Sequence, residues 1–155
     1  MQHTPSGANF TDLIVETFRL NGVLIAVGDH LVGDLGLTSA RWQVLGVLID
    51  GPTPVAEIAR QRGLTRQSVQ RIADRLVVDG FAKTNPNPAH RRAKLYLLTP
   101  HGETVMAEVA RRQVEWANQI AQGISPRQLS DAVSVMVSLG QRLEQDLSKE
   151  KKPCP

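Results

Sequence analysis

A glycine at position 63 separates two short runs of helical periodicity, "PTPVAEIARQRG" and "LTRQSVQRIADRLVVDG", and this pair constrains the fold more than any other feature of the chain. In the first run the spacing predicts Thr53 as a helix cap, Pro54 at the first helical position, Ile58 and Ala59 facing inward, and Gly63 as the stop. In the second, Thr65 is the expected cap of a helix whose apolar positions Val69, Ile72, Ala73, Leu76 and Val77 follow i, i+3, i+4, i+7, i+8, with Gly80 closing it. Two short helices joined by a glycine turn, the second carrying basic and amide side chains opposite its buried stripe, are the sequence form of a helix-turn-helix.

The outer face of the second helix has the chemistry that duplex recognition requires. Thr65 and Arg66 stand at its start, Gln67, Arg71 and Asp74 near the centre of the exposed face, and Ser68, Gln70 and Arg75 towards its edges. Arginine can bridge guanine O6 and N7, and glutamine can do the same for adenine N6 and N7. The adjoining segment strengthens this reading. "FAKTNPNPAHRRAKLYLLT" has the form of two strands joined by a Pro/Asn-rich loop, with Leu95 and Leu97 alternating against Lys94 and Tyr96, and with Pro86 and Pro88 excluding a central strand between them. A hairpin directly after a helix-turn-helix is a wing. Its tip carries His90, Arg91 and Arg92, placed to reach a phosphate backbone or a narrow minor groove beside the recognition helix.

The charge distribution agrees. The chain carries a formal +3, yet between Val55 and Lys94 nine basic residues stand against three acids, so the middle of the protein is a basic block on a mildly acidic frame. Such asymmetry favours a polyanionic partner.

On either side of this block the chain reads as helix. An apolar stripe runs from about Phe10 to Leu35, weakened by Gly22, Gly28 and Gly33, and "GLTSARWQVLGVLIDG" offers Thr38 as a cap, a helix carrying Trp42, Leu45, Leu48 and Ile49, and Gly51 as a stop. Thr99 and Pro100 start a further helix to about Ala121, with Met106, Val109, Trp116 and Ile120 on one side. Ser125 opens a capping box of the S-x-x-Q type, and Leu129, Val133, Met136, Gly140, Leu143 and Leu147 then form a seam fit for pairing with another helix. These stripes are too extensive for a small winged domain to cover alone.

The order of elements and three local sequences resemble the MarR family of winged-helix regulators, over roughly Phe10 to Leu147. The strongest match is "HRRAKLYLLTPHG", where Arg92, Leu98, Thr99 and Gly102 occupy the positions of a family wing ending in D-x-R, a strand, and L-T-x-x-G; "GLTSARWQVL" and "LTRQSVQRIADRLVVDGF" are similarly characteristic. One position departs: His90 stands where the family has its wing aspartate. The resemblance implies a mainly α fold with a small β-hairpin wing, a single MarR-like domain over the chain with a winged helix-turn-helix at 36–99, and dimerisation helices at 10–35 and 100–148. It further implies a homodimer on a pseudo-palindromic double-stranded operator, acting as a repressor released by a small, aromatic ligand. Arg92 then takes the place of the family's minor-groove arginine and Arg71 that of a DNA-contacting helix position. Arg19, His30 and Trp42 are the candidates to line a ligand pocket.

Other classes fit less well. His3, His30, His90 and His101 show no metal-binding spacing, no phosphate-binding glycine motif or Gly-x-Ser-x-Gly elbow occurs, and the lone Cys154 lies in the tail, so neither catalysis nor a cofactor or metal is expected. The absence of a signal-like start or a long apolar run leads to the expectation of a cytoplasmic protein without membrane attachment. The remaining alternative is a winged helix that serves only as a protein interaction module.

Overall fold

The computed structural model describes residues 2–90 and 92–150; the expected wing role of Arg91 and the expectation of no role for Cys154 therefore lie outside the described residues. Its elements run α1 (Pro5–Val32), a 3-10 turn (Gly33–Leu35), α2 (Ser39–Leu48), β1 (Thr53–Pro54), α3 (Val55–Arg62), α4 (Arg66–Val78), β2 (Ala82–Asn85), β3 (Leu95–Leu98), α5 (Pro100–Ile120) and α6 (Pro126–Glu150). The chain divides into two units, one reaching Val114 and the other beginning at Glu115. Among the described residues no helix is long and apolar enough to cross a membrane.

The core of the first unit gathers one face of each helix between α1 and α5. Leu45 of α2, Ile58 of α3, Leu76 and Val69 of α4 and Val109 of α5 are fully buried, and burial of each contributes about 1.5–3 kcal/mol. Ile72 and Val77 pack against this cluster from the side, as their edge positions on the α4 stripe require. Gly63, at φ +63°, ends α3 in the left-handed conformation, and its N–H donates to Ala59 O, which turns the chain into α4 within three residues.

Several helix ends form as the sequence predicts. Thr38 and Thr65 accept from the backbone N–H of Arg41 and Ser68 at 3.3 and 3.1 Å. Ser125 and Gln128 close their capping box reciprocally at 3.1 and 3.2 Å.

Three local expectations are corrected. α1 starts at Pro5 rather than near Phe10, because Thr4 caps it by accepting from Gly7 N at 3.1 Å and Pro5 takes the first position; it ends at Val32, the last three residues to Leu35 tightening into the 3-10 turn. Thr53 does not cap α3. Its hydroxyl donates to Gly51 O at 2.9 Å, and its backbone instead pairs with Tyr96, so Thr53 and Pro54 form a third strand and α3 begins at Val55. The wing sheet accordingly has three antiparallel strands in the order β1-β3-β2, with Lys83 opposite Leu97 and Thr84 opposite Tyr96. Finally, Tyr96 is the inward residue of β3 at 3% exposure, whereas Leu95 and Leu97 are only half-buried.

In the second unit, the α6 residues Leu129, Val133, Met136, Leu143 and Leu147 remain exposed.

Candidate nucleic-acid interface

The 100° advance per residue of an α-helix sorts the outer face of α4 into three strips. Opposite the buried Val69, Ala73 and Leu76 lie Gln67 and Arg71, both exposed. Ser68 and Arg75 flank them on one side; Arg66, Gln70 and Asp74 flank them on the other, facing the wing. The first turn leaves free backbone N–H groups at the helix N-terminus, where the macrodipole favours an anion.

β3 runs down the middle of the wing sheet, and β2 ends at Asn85, before Pro86 removes a donor. The connecting loop is held by its own turns: Asn87 Oδ1 accepts from Ala89 N at 3.0 Å, Asn87 O from His90 N at 3.2 Å, and His90 O from Ala93 N at 3.0 Å. His90 and Arg92 are exposed at this tip and Lys94 at the start of the return strand.

Between the wing and α4 lies an open groove of about 600 Å³, lined by Arg66, Gln67, Gln70 and Asp74 from the helix and by Arg92, Lys94 and Tyr96 from the wing. Arg66, Arg71, Arg92 and Lys94 enter no ion pair among the described residues. Arg66, Arg92 and Lys94 line this concave surface, and Arg71 stands beside it on the outward strip of α4, so the positive charge here is not neutralised internally by ion pairs among the described residues.

The other polar groups here are occupied. The Tyr96 hydroxyl donates to Asp74 Oδ1 at 2.8 Å and accepts from Gln70 Nε2 at 2.7 Å, and Gln70 Nε2 also donates to Asp74 Oδ1 at 2.9 Å. Burial, reinforced by the hydrogen bond to Asp74, pushes the Tyr96 hydroxyl above its ordinary range, so it remains a donor at neutral pH. Arg75 Nε donates to Asp79 Oδ2 at 3.1 Å. Asp79 is also the partner of Arg41, whose NH1 donates to Gly36 O at 2.8 Å and whose guanidinium lies 5.3 Å from the Phe81 ring centroid. Asp79 thus fastens the end of α4 to the start of α2.

The sequence-predicted DNA residues consequently fall into two groups. Thr65, Arg66, Gln67, Ser68, Arg71, His90 and Arg92 are exposed around the groove and the helix face. Gln70 and Arg75 are exposed as well but have protein partners. Sequence reasoning missed Tyr96, Asp79, Arg41 and the outward Lys94; of these pairings only Arg75 to Asp79 follows a readable i, i+4 spacing.

The three ligand candidates are not gathered at one point. Arg19 and His30 are exposed on nearly the same face of α1, about 16 Å apart along its axis, and Arg19 Nε donates to Glu16 at 2.9 Å. Trp42 is half-buried against the core. Among the described residues no group of three or more His, Cys, Asp or Glu could hold a metal ion.

Comparison with known proteins agrees with this geometry. The MarR family model matches residues 35–93. An uncharacterized protein of Mycobacterium tuberculosis is 38% identical over 117 residues, covering 76% of this chain and 82% of that protein. Among solved structures, the transcriptional regulator SlyA superposes with a TM-score of 0.80 at 20% identity, over 90% of this chain and 99% of that one. BpsR of Bordetella bronchiseptica, whose DNA binding is regulated by 6-hydroxynicotinic acid, superposes with a TM-score of 0.73 at 21% identity, over 83% of this chain and 98% of that one. At these identities the structural matches establish the winged-helix fold.

Proposed function

The chain belongs to the MarR family, a family of transcription regulators and not of enzymes, and from that premise we propose that it is a homodimeric, sequence-specific binder of double-stranded DNA. The observation that carries this reading is a set of cations without an ion pair among the described residues: Arg66, Arg92 and Lys94 lining the groove between α4 and the wing, and Arg71 on the adjoining outward strip of α4. Gln67, Ser68 and Arg71 supply base-edge chemistry on α4, Thr65 and Arg66 its phosphate-facing start, and His90, Arg91 and Arg92 the wing contact. The exposed apolar seam of α6 supports association of two copies, which matches a pseudo-palindromic operator with half-sites about one helical turn apart.

The regulatory cycle we propose is repression relieved by a small aromatic acid. BpsR, with the same fold, is regulated in its DNA binding by a compound of that class. Arg19, His30 and Trp42 do not converge on one small ligand within this chain, so the proposal of such an effector rests on the likeness to BpsR.

Titration of the protein against the DNA upstream of its own gene, with a shuffled duplex of the same composition, at two salt concentrations tests the reading. Preferential, salt-sensitive binding to the upstream duplex is expected. Equal, negligible affinity for both at physiological salt, from a verified dimer, would favour a protein interaction module.

A further inference from the structure

We infer that Tyr96 is a positioning residue for DNA recognition: through Gln70 and Asp74 it locks the wing to the recognition helix, and it withdraws Gln70 from base reading. The inference rests on the DNA-binding reading and deepens it.

Tyr96 is held on both sides. Its backbone pairs with Thr53 of β1 and Thr84 of β2, and its ring is buried, so only the hydroxyl is left to reach α4. There it meets Gln70 and Asp74, one helical turn apart on the wing-facing strip, in a closed set of three hydrogen bonds of 2.7–2.9 Å. The orientation of the Gln70 amide follows from chemistry, because only its NH2 can face a carboxylate oxygen. Nε2 therefore faces both the Tyr96 hydroxyl and Asp74 Oδ1, which are themselves bonded to each other.

That arrangement turns the Nε2 of Gln70 towards the wing. Bidentate contact with adenine requires the glutamine to donate to N7 and accept from N6 with the same amide. Turning Nε2 towards adenine N7 would give up its bonds to Tyr96 and Asp74, which would keep only each other. Base reading on α4 therefore falls to Gln67, Ser68 and Arg71. What Gln70 and Asp74 contribute is the angle at which Arg92 and Lys94 meet the backbone while α4 lies in the major groove. Asp74 also contributes a negative charge beside the phosphates, and its hydrogen bonds to the wing account for its presence on a basic surface.

The experiment is a fluorescence-anisotropy titration of the full chain with its operator duplex, with single-base-pair variants of it, and over a salt series. Tyr96→Phe keeps the ring and removes the hydroxyl; it is expected to weaken operator binding about tenfold. The slope of log affinity against log salt should fall by about 0.9 to 1.8, the share of one or two wing phosphates. Gln70→Ala is expected to weaken binding evenly across all base-pair variants, and the double variant to be no worse than the weaker single one, since both act through the same bonds. Asp74→Asn, which still accepts both hydrogen bonds, should retain the wild-type slope, whereas Asp74→Leu should lose it as Tyr96→Phe does. Loss of preference at one base pair in Gln70→Ala would make Gln70 a base reader and overturn the inference, as would an unchanged slope in Tyr96→Phe. A drop in slope that Asp74→Asn shares equally, although its amide oxygen still accepts both bonds, would show that these bonds do not set the slope, and would also overturn it. Wild-type protein with no salt-dependent affinity for any duplex would instead remove the DNA-binding reading itself.

Discussion

Gly102 lies directly against the carbonyl of Phe81, so close that a Cβ at position 102 would overlap the oxygen and press on the carbonyl carbon at 3.1 Å. The first turn of α5 is built onto the end of the helix-turn-helix by this approach. Thr99 N donates to Phe81 O at 3.1 Å, Thr99 Oγ1 to Gly80 O at 2.6 Å, and Gly102 N back to Thr99 Oγ1 at 3.0 Å. The threonine and glycine of "LTPHG" therefore fix where α5 leaves the wing. Gly102→Ala is expected to destabilise the protein by about 1 to 3 kcal/mol, the usual cost of overpacking, read as a lower midpoint in urea unfolding with an unchanged m value.

Arg92 and Arg71 should separate by what they change. Arg92, exposed on the wing, is expected on substitution by alanine to weaken operator binding and to reduce the salt slope by about 0.9, one phosphate. Arg71 sits at the centre of the outward strip of α4, and Arg71→Ala should cost about 1 to 3 kcal/mol on the operator while sparing non-specific duplex. Equal losses on operator and shuffled DNA would make Arg71 a phosphate contact only. Both are measurable in one anisotropy series.

Much of this interface is legible in the sequence because its signals are local. Thr38, Thr65 and Ser125 cap their helices within three residues, and the α4 stripe needs only its own 13 residues to declare which side is buried. Where the sequence misleads, the cause is distant. β1 consists of two residues that become a strand only because β3, some forty positions later, pairs with them; Thr53 followed by Pro54 otherwise carries the local chemistry of a helix start. Likewise Leu95 and Leu97 are more apolar than Tyr96, but α4 offers the tyrosine hydroxyl two partners, and the strand turns that side in. Asp79 receives Arg75 from a readable spacing and Arg41 from 38 residues away, which no local pattern announces.

Acid should loosen the junction between the end of α1 and α5. Arg112 NH1 donates to Leu31 O at 3.0 Å and to Asp34 Oδ1 at 2.6 Å, while its Nε donates to Glu108 at 2.8 Å. Hydrogen bonds from Arg111 and Arg112 hold the Glu108 carboxyl down at about 2, and Arg112 lowers Asp34. Groups with depressed folded pKa values stabilise fully above their unfolded values, near 4.5 for Glu108, and lose that contribution as pH falls towards the folded value. Stability is thus expected to be flat above about pH 5 and to decline between pH 4.5 and 2. Glu57, held at about 2 by Arg60 and Gln61, adds to the same decline. In Arg112→Met the decline should be shallower, and urea midpoints at pH 7 and pH 3 would show it. Because these groups keep contact with solvent, added salt should also flatten the difference. An Arg112→Met protein with the wild-type pH dependence would remove Arg112 from this account.

The seam of α6 gives the most direct handle on assembly. Val133 and Leu143 are 60% and 52% exposed, and with Leu129, Met136 and Leu147 they repeat at steps of three, four and seven along one helix face. A stripe of this extent on a single chain is the surface that a second copy would cover. Val133→Asp combined with Leu143→Asp introduces two carboxylates into that contact, so sedimentation should show a monomer at concentrations where the wild type is dimeric. The circular dichroism of the winged unit should persist, since neither residue belongs to its buried core. DNA affinity separates the readings of the seam: if two recognition helices bind as a linked pair, loss of the partner removes the effective concentration of the second half-site and operator affinity should fall by roughly 10²- to 10⁴-fold. A single half-site duplex should be bound about equally by both proteins. A variant that stays dimeric, or a monomer that retains full operator affinity, would take α6 out of the recognition mechanism.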